Sequence, residues 1–363
     1  MTAPELRETH PLPTVSLQEA TARQFRLLEC VADHFDGRQL FSADVGITPR
    51  WGRPDATRRT EAALADFFGT PAAALVQGAG SGAIRAMLTA ALEPGDPLIV
   101  HSAPAYATTA TAFRSMGLGL VETDFNSSPA KAAAPYVHIQ HSRQLPEDFY
   151  DPAEVIARYA ELGVRALVDD NYAAFRTPRT GVEMGAEGSA LSLFKLLGPE
   201  GVGLVVGSRD LVDRVHADNY SGGGQVQGPQ ALDALRALTQ VPVLWAVQSA
   251  TVTEIAERLG AGEVPGVAQV RIANAQDRCV LVRLDAPVAR QVIEAAAGFG
   301  AAPYPVGANS RYEIAPLFYR LSETFLAGTP ELADWTIRIN PMRAGADLVV
   351  KILGSALREI RCS

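Results

Sequence analysis

Between residues 73 and 169 the chain alternates short apolar runs with longer amphipathic ones, and this rhythm limits its fold more than any other feature. The runs at 73–76, 98–101, 119–123, 136–140 and 165–169 read as strands, and 82–92, 108–116 and 151–162 repeat apolar residues at helical spacing. Strands joined through helices build right-handed βαβ units. The sequence therefore predicts an α/β fold whose mostly parallel sheet is flanked by helices. A later run, 202–206, reads as one more buried strand.

The flanks differ. Ser16 and Glu19 form a capping box ahead of a helix whose apolar residues run through Leu28, Val31 and Phe35. Residues 44–54 are a Gly/Pro-rich connector, and a helix over 57–68 stops at Gly69. After Gly224 the pattern changes to a helix-rich stretch over 227–259 and antiparallel strands at 267–273 and 280–284. A helix over 289–299, a strand at 335–339 and a closing helix over 346–360 complete it. This predicts an N-terminal helical arm (1–45), a major α/β domain (46–235) and a smaller α+β C-terminal domain (236–363).

A net charge of −8 argues against nucleic acid as a partner, because phosphate backbones demand basic surfaces. No apolar run is long enough to cross a bilayer. The first nine residues contain Glu5, Arg7 and Glu8 without an apolar core, unlike a secretory signal. Cys30, Cys279 and Cys362 are odd in number and widely spaced. They read as reduced thiols of a cytoplasmic protein, with Cys30 and Cys279 in the core. His138 and His141 form an isolated H-x-x-H without nearby carboxylate or cysteine partners, so no metal site is expected.

In open α/β sheets ligands bind at the carboxyl ends of the strands, and the informative residues fall there. Lys195 lies in Ser192-Leu193-Phe194-Lys195-Leu196-Leu197-Gly198-Pro199-Glu200-Gly201, between apolar segments. An amine in such a setting loses its proton easily and becomes a nucleophile. The chemistry that needs it is condensation with a carbonyl, pyridoxal 5'-phosphate (PLP) above all.

Gln77-Gly78-Ala79-Gly80-Ser81-Gly82-Ala83 joins a strand to a helix, where free N–H groups and the helix dipole favour a phosphate. The same segment matches a dinucleotide fingerprint, which would make the chain a dehydrogenase, and it also suits a purely structural turn. Asp169-Asp170-Asn171-Tyr172 follows an apolar strand. A carboxylate there can face a ring nitrogen or cap a turn. Tyr106, just beyond the strand at 98–101, can stack on a flat cofactor or fill the core. Arg338, inside an apolar strand, calls for a carboxylate, either a substrate's or a structural partner's.

Taken together, these motifs resemble the fold-type-I PLP-dependent enzymes, the aspartate aminotransferase superfamily, in the same order and over nearly the whole chain. The resemblance implies a seven-stranded-type sheet in the major domain. It implies that Lys195 binds the cofactor covalently, that Ser192 with Gly80, Ser81 and Gly82 holds its phosphate, and that Asp170 pairs with the pyridine nitrogen. Tyr106 would stack on the ring, His141 would contact the ring or its hydroxyl, and Arg338 would bind the substrate α-carboxylate. Arg143 would bind a second acidic group of a substrate, or pair with a carboxylate such as Asp148.

Arg50-Trp51-Gly52-Arg53-Pro54 resembles the segment with which cystathionine and methionine lyases and synthases reach a neighbouring subunit's phosphate, although Thr48 and Arg53 depart from that pattern. Ser221-Gly222-Gly223-Gly224-Gln225 resembles a shared-site loop of class-V aminotransferase relatives. The segments 76–86, 169–172, 194–203, 304–308 and 316–322 resemble an uncharacterised bacterial class-V-aminotransferase-like family. These likenesses imply a homodimer acting on an amino acid. The expected reaction is transamination. The alternatives are carbon–sulfur elimination or replacement, or a PLP-binding sensor without turnover.

Overall fold

The computed structural model describes residues 4–127, 134–220, 224–275, 277–305, 309–326 and 329–362. Its first helix starts where the capping box predicts. Ser16 accepts the Glu19 N–H, and the Glu19 carboxylate accepts the Ser16 N–H in return, opening α1 (Leu17–His34). The next helix, α2 (Asp55–Phe68), ends at Gly69 in the left-handed conformation that glycine adopts without strain.

The chain divides into two compact units, the larger comprising Val15–His141 and Tyr150–Val243. It holds β1 (Ala72–Gln77), α3 (Ala79–Ala91), β2 (Pro97–His101), α4 (Ala107–Met116), β3 (Gly119–Thr123) and β4 (Tyr136–Gln140). These are followed by α5 (Pro152–Glu161), β5 (Arg165–Asp169), β6 (Gly188–Ser192), β7 (Val202–Gly207), α6 (Arg209–Asp218) and α7 (Gly228–Leu238). Among the described residues the sheet has seven strands in the order β1-β7-β6-β5-β4-β2-β3. β7 runs antiparallel to both neighbours, and the other pairings are parallel.

Strand alternation gives this sheet two distinct faces. Leu98, Tyr136, Leu167, Ala190 and Val205 pack with Ile84, Met87 and Leu88 of α3 and Val212 of α6. Ile99, Val137, Ile139 and Val168 pack with Val155, Ile156 and Tyr159 of α5. Each buried aliphatic side chain contributes about 1.5–3 kcal/mol through the water it sheds.

Two elements here escape a periodicity reading. β6, Gly-Ser-Ala-Leu-Ser, lacks β-branched residues and is a strand because β5 and β7 pair with it on both sides. α6 is polar overall and is opened by Ser208, whose side chain accepts the Leu211 N–H.

The smaller unit comprises Met1–Thr14, Ser142–Phe149 and Leu244–Ser363. It takes α8 (Val241–Gly260) from Leu244 onward, then β8 (Val267–Ala275), β9 (Asp277–Leu284) and α9 (Ala289–Gly298). β10 (Leu317–Arg320), α10 (Glu323–Leu326), α11 (Leu332–Trp335), β11 (Thr336–Asn340) and α12 (Ala346–Cys362) follow. Its antiparallel sheet runs β10-β11-β9-β8, covered by apolar residues of α8, α9 and α12. Cys279 on β9 is buried, but Cys30 is only half-buried at the edge of the α1 apolar stripe of Ala20, Leu27 and Val31, so it is not the core residue expected. Among the described residues no helix is long and apolar enough to cross a membrane, and no group of His, Cys, Asp or Glu is placed to hold a metal ion.

Candidate active site

β6 ends at Ser192, and a single 3-10 turn, Phe194–Leu196, then carries Lys195. The Gly198-Pro199-Glu200-Gly201 turn does more than redirect the chain into β7. The Gly201 carbonyl accepts the N–H groups of Gly78, at 2.7 Å, and Ala79, at 2.9 Å. The lysine segment is thereby stitched to the start of α3.

The glycines at that start are there for close approach. A Cβ on Gly82 would lie 2.0 Å from the Gln77 carbonyl oxygen, and one on Gly80 would lie 2.5 Å from Asn171 Oδ1. Ser81 Oγ donates to Thr108 Oγ1 of α4 at 2.9 Å. The glycines thus let the Asn171 side chain and the Gln77 carbonyl close in on the start of α3, whose positive dipole end suits an anion. Ser192 Oγ and Asn171 Oδ1 are both buried and lack a hydrogen-bond partner among the described residues. A buried polar atom without a partner costs about 1–3 kcal/mol, which a polar ligand would recover.

Lys195 Nζ lies 3.7 Å from the centroid of the Tyr172 ring and 5.7 Å from that of Tyr106. Tyr106 occupies the N-cap of α4 and is partly exposed. Tyr172 is buried with φ of +67°, a conformation that costs a bulky residue energy and marks a position held by its surroundings.

The two carboxylates after β5 have different environments. Asp170 is fully buried; its Oδ1 lies 2.6 Å from His141 Nδ1, and its Oδ2 accepts the Gly181 N–H at 2.9 Å. Asp169 Oδ1 accepts the Asn171 N–H at 2.9 Å. Burial pushes Asp169 up to about 6, with the Asn171 N–H and the Lys195 charge pulling it down and Asp170 adding to the rise.

Arg50 is exposed, with its guanidinium carbon 4.4 Å from the centroid of the Trp51 ring. Arg338 and Arg143 belong to the smaller unit. Arg338 is buried on β11; its Nε donates to the Arg320 carbonyl at 3.0 Å and its guanidinium carbon sits 4.1 Å from the Tyr319 ring centroid. Arg143, also buried, donates from Nε to the His10 carbonyl at 3.0 Å. Residues 221–223 of the glycine-rich loop and 306–308 of the 304–308 segment lie outside the described residues.

Sequence reasoning had not singled out Asn171, Tyr172, Thr108 or the Gly201 carbonyl as parts of this site. The D-D-N-Y segment pointed to the first two. The other two contacts join stretches far apart in the chain and leave no local signature.

The orphaned Ser192 hydroxyl, the glycine cradle at the α3 N-terminus, the lysine and the nearby carboxylates fit a cofactor with a phosphate, an aldehyde and a basic ring nitrogen. With the fold, they define a fold-type-I PLP-dependent enzyme. Comparison with known proteins agrees. The family described as "Aminotransferase class I and II" matches residues 39–134, and "YhfS-like, C-terminal domain" matches residues 253–353. The Escherichia coli (strain K12) protein described as "Uncharacterized protein YhfS" is 46% identical over 360 residues, 97% of this chain and 100% of that protein. The chain belongs to the YhfS family. A crystal structure of YhfS from Escherichia coli, described as pyridoxal-5'-phosphate dependent, matches with a TM-score of 0.96 over 97% of this chain and all of that one. A methionine gamma lyase from Micromonospora echinospora is 20% identical with a TM-score of 0.69 over 92% of this chain and 98% of that one. A cystathionine gamma synthase from Xanthomonas oryzae pv. oryzae is 19% identical with a TM-score of 0.68 over 86% of this chain and 87% of that one. These last two show a shared fold.

Proposed function

We propose that this PLP-dependent enzyme acts on an amino acid as an aminotransferase. The observation that carries the reading is Lys195 on the turn after β6, whose segment is tied to a glycine-lined helix N-terminus and follows the buried, unpartnered Ser192 hydroxyl. When bound, PLP supplies an electron sink that stabilises negative charge at the substrate α-carbon. Ser192 Oγ and the first N–H groups of α3 bind the phosphate. The Asp169–Asp170 pair supplies the carboxylate that a protonated ring nitrogen needs. Tyr106 stacks on the ring, and His141 supports the site through Asp170. Lys195 Nζ would hold the cofactor and would take the substrate α-proton as general base. Arg338 binds the α-carboxylate with its planar fork, and Arg143 serves a second acidic group. Arg50 reaches the site of a second copy in a homodimer.

The likeness of the Arg50-Trp51-Gly52-Arg53-Pro54 segment to the lyase and synthase group favours a second reading, elimination at a carbon–sulfur bond. The two are separable. Purified protein should be yellow, bleach with borohydride and retain a pyridoxyl group on Lys195. A colourless preparation that PLP cannot reconstitute would overturn the proposal. With amino-acid pools, turnover only in the presence of an added keto acid supports transamination, and ammonia or thiol release without one supports elimination. A monomer with full turnover would remove the shared-site role of Arg50.

A further inference from the structure

The antiparallel sheet of the smaller unit has two unlike faces. On one, Ile337 and Ile339 of β11, Val280 and Val282 of β9 and Phe318 of β10 pack into the core with α8, α9 and α12. Side chains of a strand alternate between faces, and directly paired residues share a face. Arg338 pairs with Tyr319 on β10 and with Leu281 on β9, so these three lie on the opposite face. Asn340, two residues beyond Arg338 on β11, and Asp277, which opens β9 four residues before Leu281, continue it.

Asp277 brings a buried carboxylate to this face. Its Oδ2 accepts from Asn340 Nδ2, and from Asn309 Nδ2 at 2.8 Å. Its Oδ1 accepts from the Tyr319 hydroxyl at 3.4 Å. The two amides are tied in turn by Gln248 of α8, whose Nε2 donates to Asn340 Oδ1 at 2.6 Å and to Asn309 Oδ1 at 3.2 Å. Asn340 Oδ1 also accepts the Met342 N–H at 3.0 Å. Asn309, Asn340 and Gln248 are all buried. Buried polar groups joined in this way hold one another in a single arrangement.

Two arms of the cluster bear on Arg338. Asn340 fixes β11 just past the arginine. Tyr319 lies across from Arg338 with its ring centroid 4.1 Å from the guanidinium carbon. A phenol that donates to a carboxylate gains electron density in its ring, and that density attracts a cation over its face.

We propose that Asp277 is a positioning residue for substrate binding, which aims the Arg338 guanidinium through Asn340 and Tyr319. This rests on the reading of Arg338 as the residue that binds the substrate α-carboxylate. An arginine fixed in advance loses less freedom when a carboxylate arrives. Loss of Asp277 should therefore appear in substrate binding rather than in the chemical step.

The test uses the full-length protein with isotope-labelled arginine, the Arg338 Nε–H resonance being assigned by its absence from Arg338→Lys. In Asp277→Asn this resonance should move, and its hydrogen exchange should quicken about tenfold. KM for the amino acid that the protein turns over should rise about three- to tenfold with kcat unchanged. Tyr319→Phe should change both in the same direction by less, and combined with Asp277→Asn it should add less than its separate effect, because the two share one path. Val292→Ala, in the core on the other face, should lower thermal stability and leave the resonance and KM at their wild-type values. A wild-type Arg338 resonance and exchange rate in folded Asp277→Asn overturn the proposal, and so does a fall in kcat at constant KM. Should Asp277→Asn fail to fold, an unmoved resonance in Tyr319→Phe overturns it alone. A wild-type KM in Arg338→Lys removes the reading beneath it, and the resonance then still reports whether Asp277 holds Arg338.

Discussion

His141 Nδ1 and Asp170 Oδ1 lie 2.6 Å apart, and both side chains are buried. Breaking such a pair leaves a carboxylate stranded away from water, at a cost of about 3–5 kcal/mol. His141→Leu should therefore lower the unfolding free energy of the cofactor-free protein by about that amount in urea titrations. Asp170→Asn added to it should cost less than the two single losses summed, because the two share one interaction.

The proposed phosphate cradle, Ser192 with the start of α3, makes two separate demands. Ser192→Ala should weaken PLP binding about ten- to hundredfold and leave the far-ultraviolet circular dichroism unchanged, since it removes one hydrogen-bond donor to a charged group. Gly82→Ala should be worse, because its Cβ would fall 2.0 Å from the Gln77 carbonyl oxygen and the backbone has to yield. A thermal melt showing wild-type stability for Gly82→Ala would mean that the α3 start is less tightly held than described.

Glu61 on α2 accepts the Leu75 N–H through Oε1 and faces Arg53 Nε at 2.6 Å through Oε2. Burial outweighs that ion pair and pushes Glu61 from 4.5 up to about 7. The folded value lies above the unfolded one. The stabilisation of the protonated form is therefore complete below pH 4.5 and is lost as pH rises through about 7. Glu61→Gln keeps an acceptor for Leu75 without the titration. Between pH 4.5 and 8 its stability relative to wild type should improve by up to about 3 kcal/mol, as measured by urea unfolding at both ends of that range.

Arg338 is held from two directions, by the Arg320 carbonyl and by the face of Tyr319, whose hydroxyl donates to Asp277 Oδ1 at 3.4 Å. A cation over an aromatic ring is worth about 1–2 kcal/mol when desolvated. Tyr319→Leu should raise KM for amino-acid substrates about five- to thirtyfold with a smaller change in kcat, if Arg338 has its proposed role of binding the carboxylate without taking part in proton transfer. Tyr319→Phe keeps the ring and should fall between Tyr319→Leu and wild type. A pure kcat effect would place Arg338 elsewhere in the mechanism.

What the chain determined by itself was whatever local pattern carries. Alternation between 73 and 169 specified a parallel sheet with flanking helices, Ser16 and Glu19 specified where α1 opens, and the change after Gly224 announced a second, antiparallel sheet. The Ser192-to-Gly201 and Gln77-to-Ala83 motifs pointed to the cofactor, because a phosphate and an aldehyde need those residue types close together. Tertiary structure decided what depends on neighbours distant in sequence. β6 has no strand-like composition and is a strand through its pairing with β5 and β7. Tyr172 comes to lie over Lys195 through a left-handed backbone turn that its sequence does not announce. Asp169 and Asp170 are chemically identical in sequence. The fold separates them, because each meets different neighbours: Asp169 Oδ1 takes the Asn171 N–H, whereas Asp170 is held by His141 and by the Gly181 N–H, groups distant in sequence.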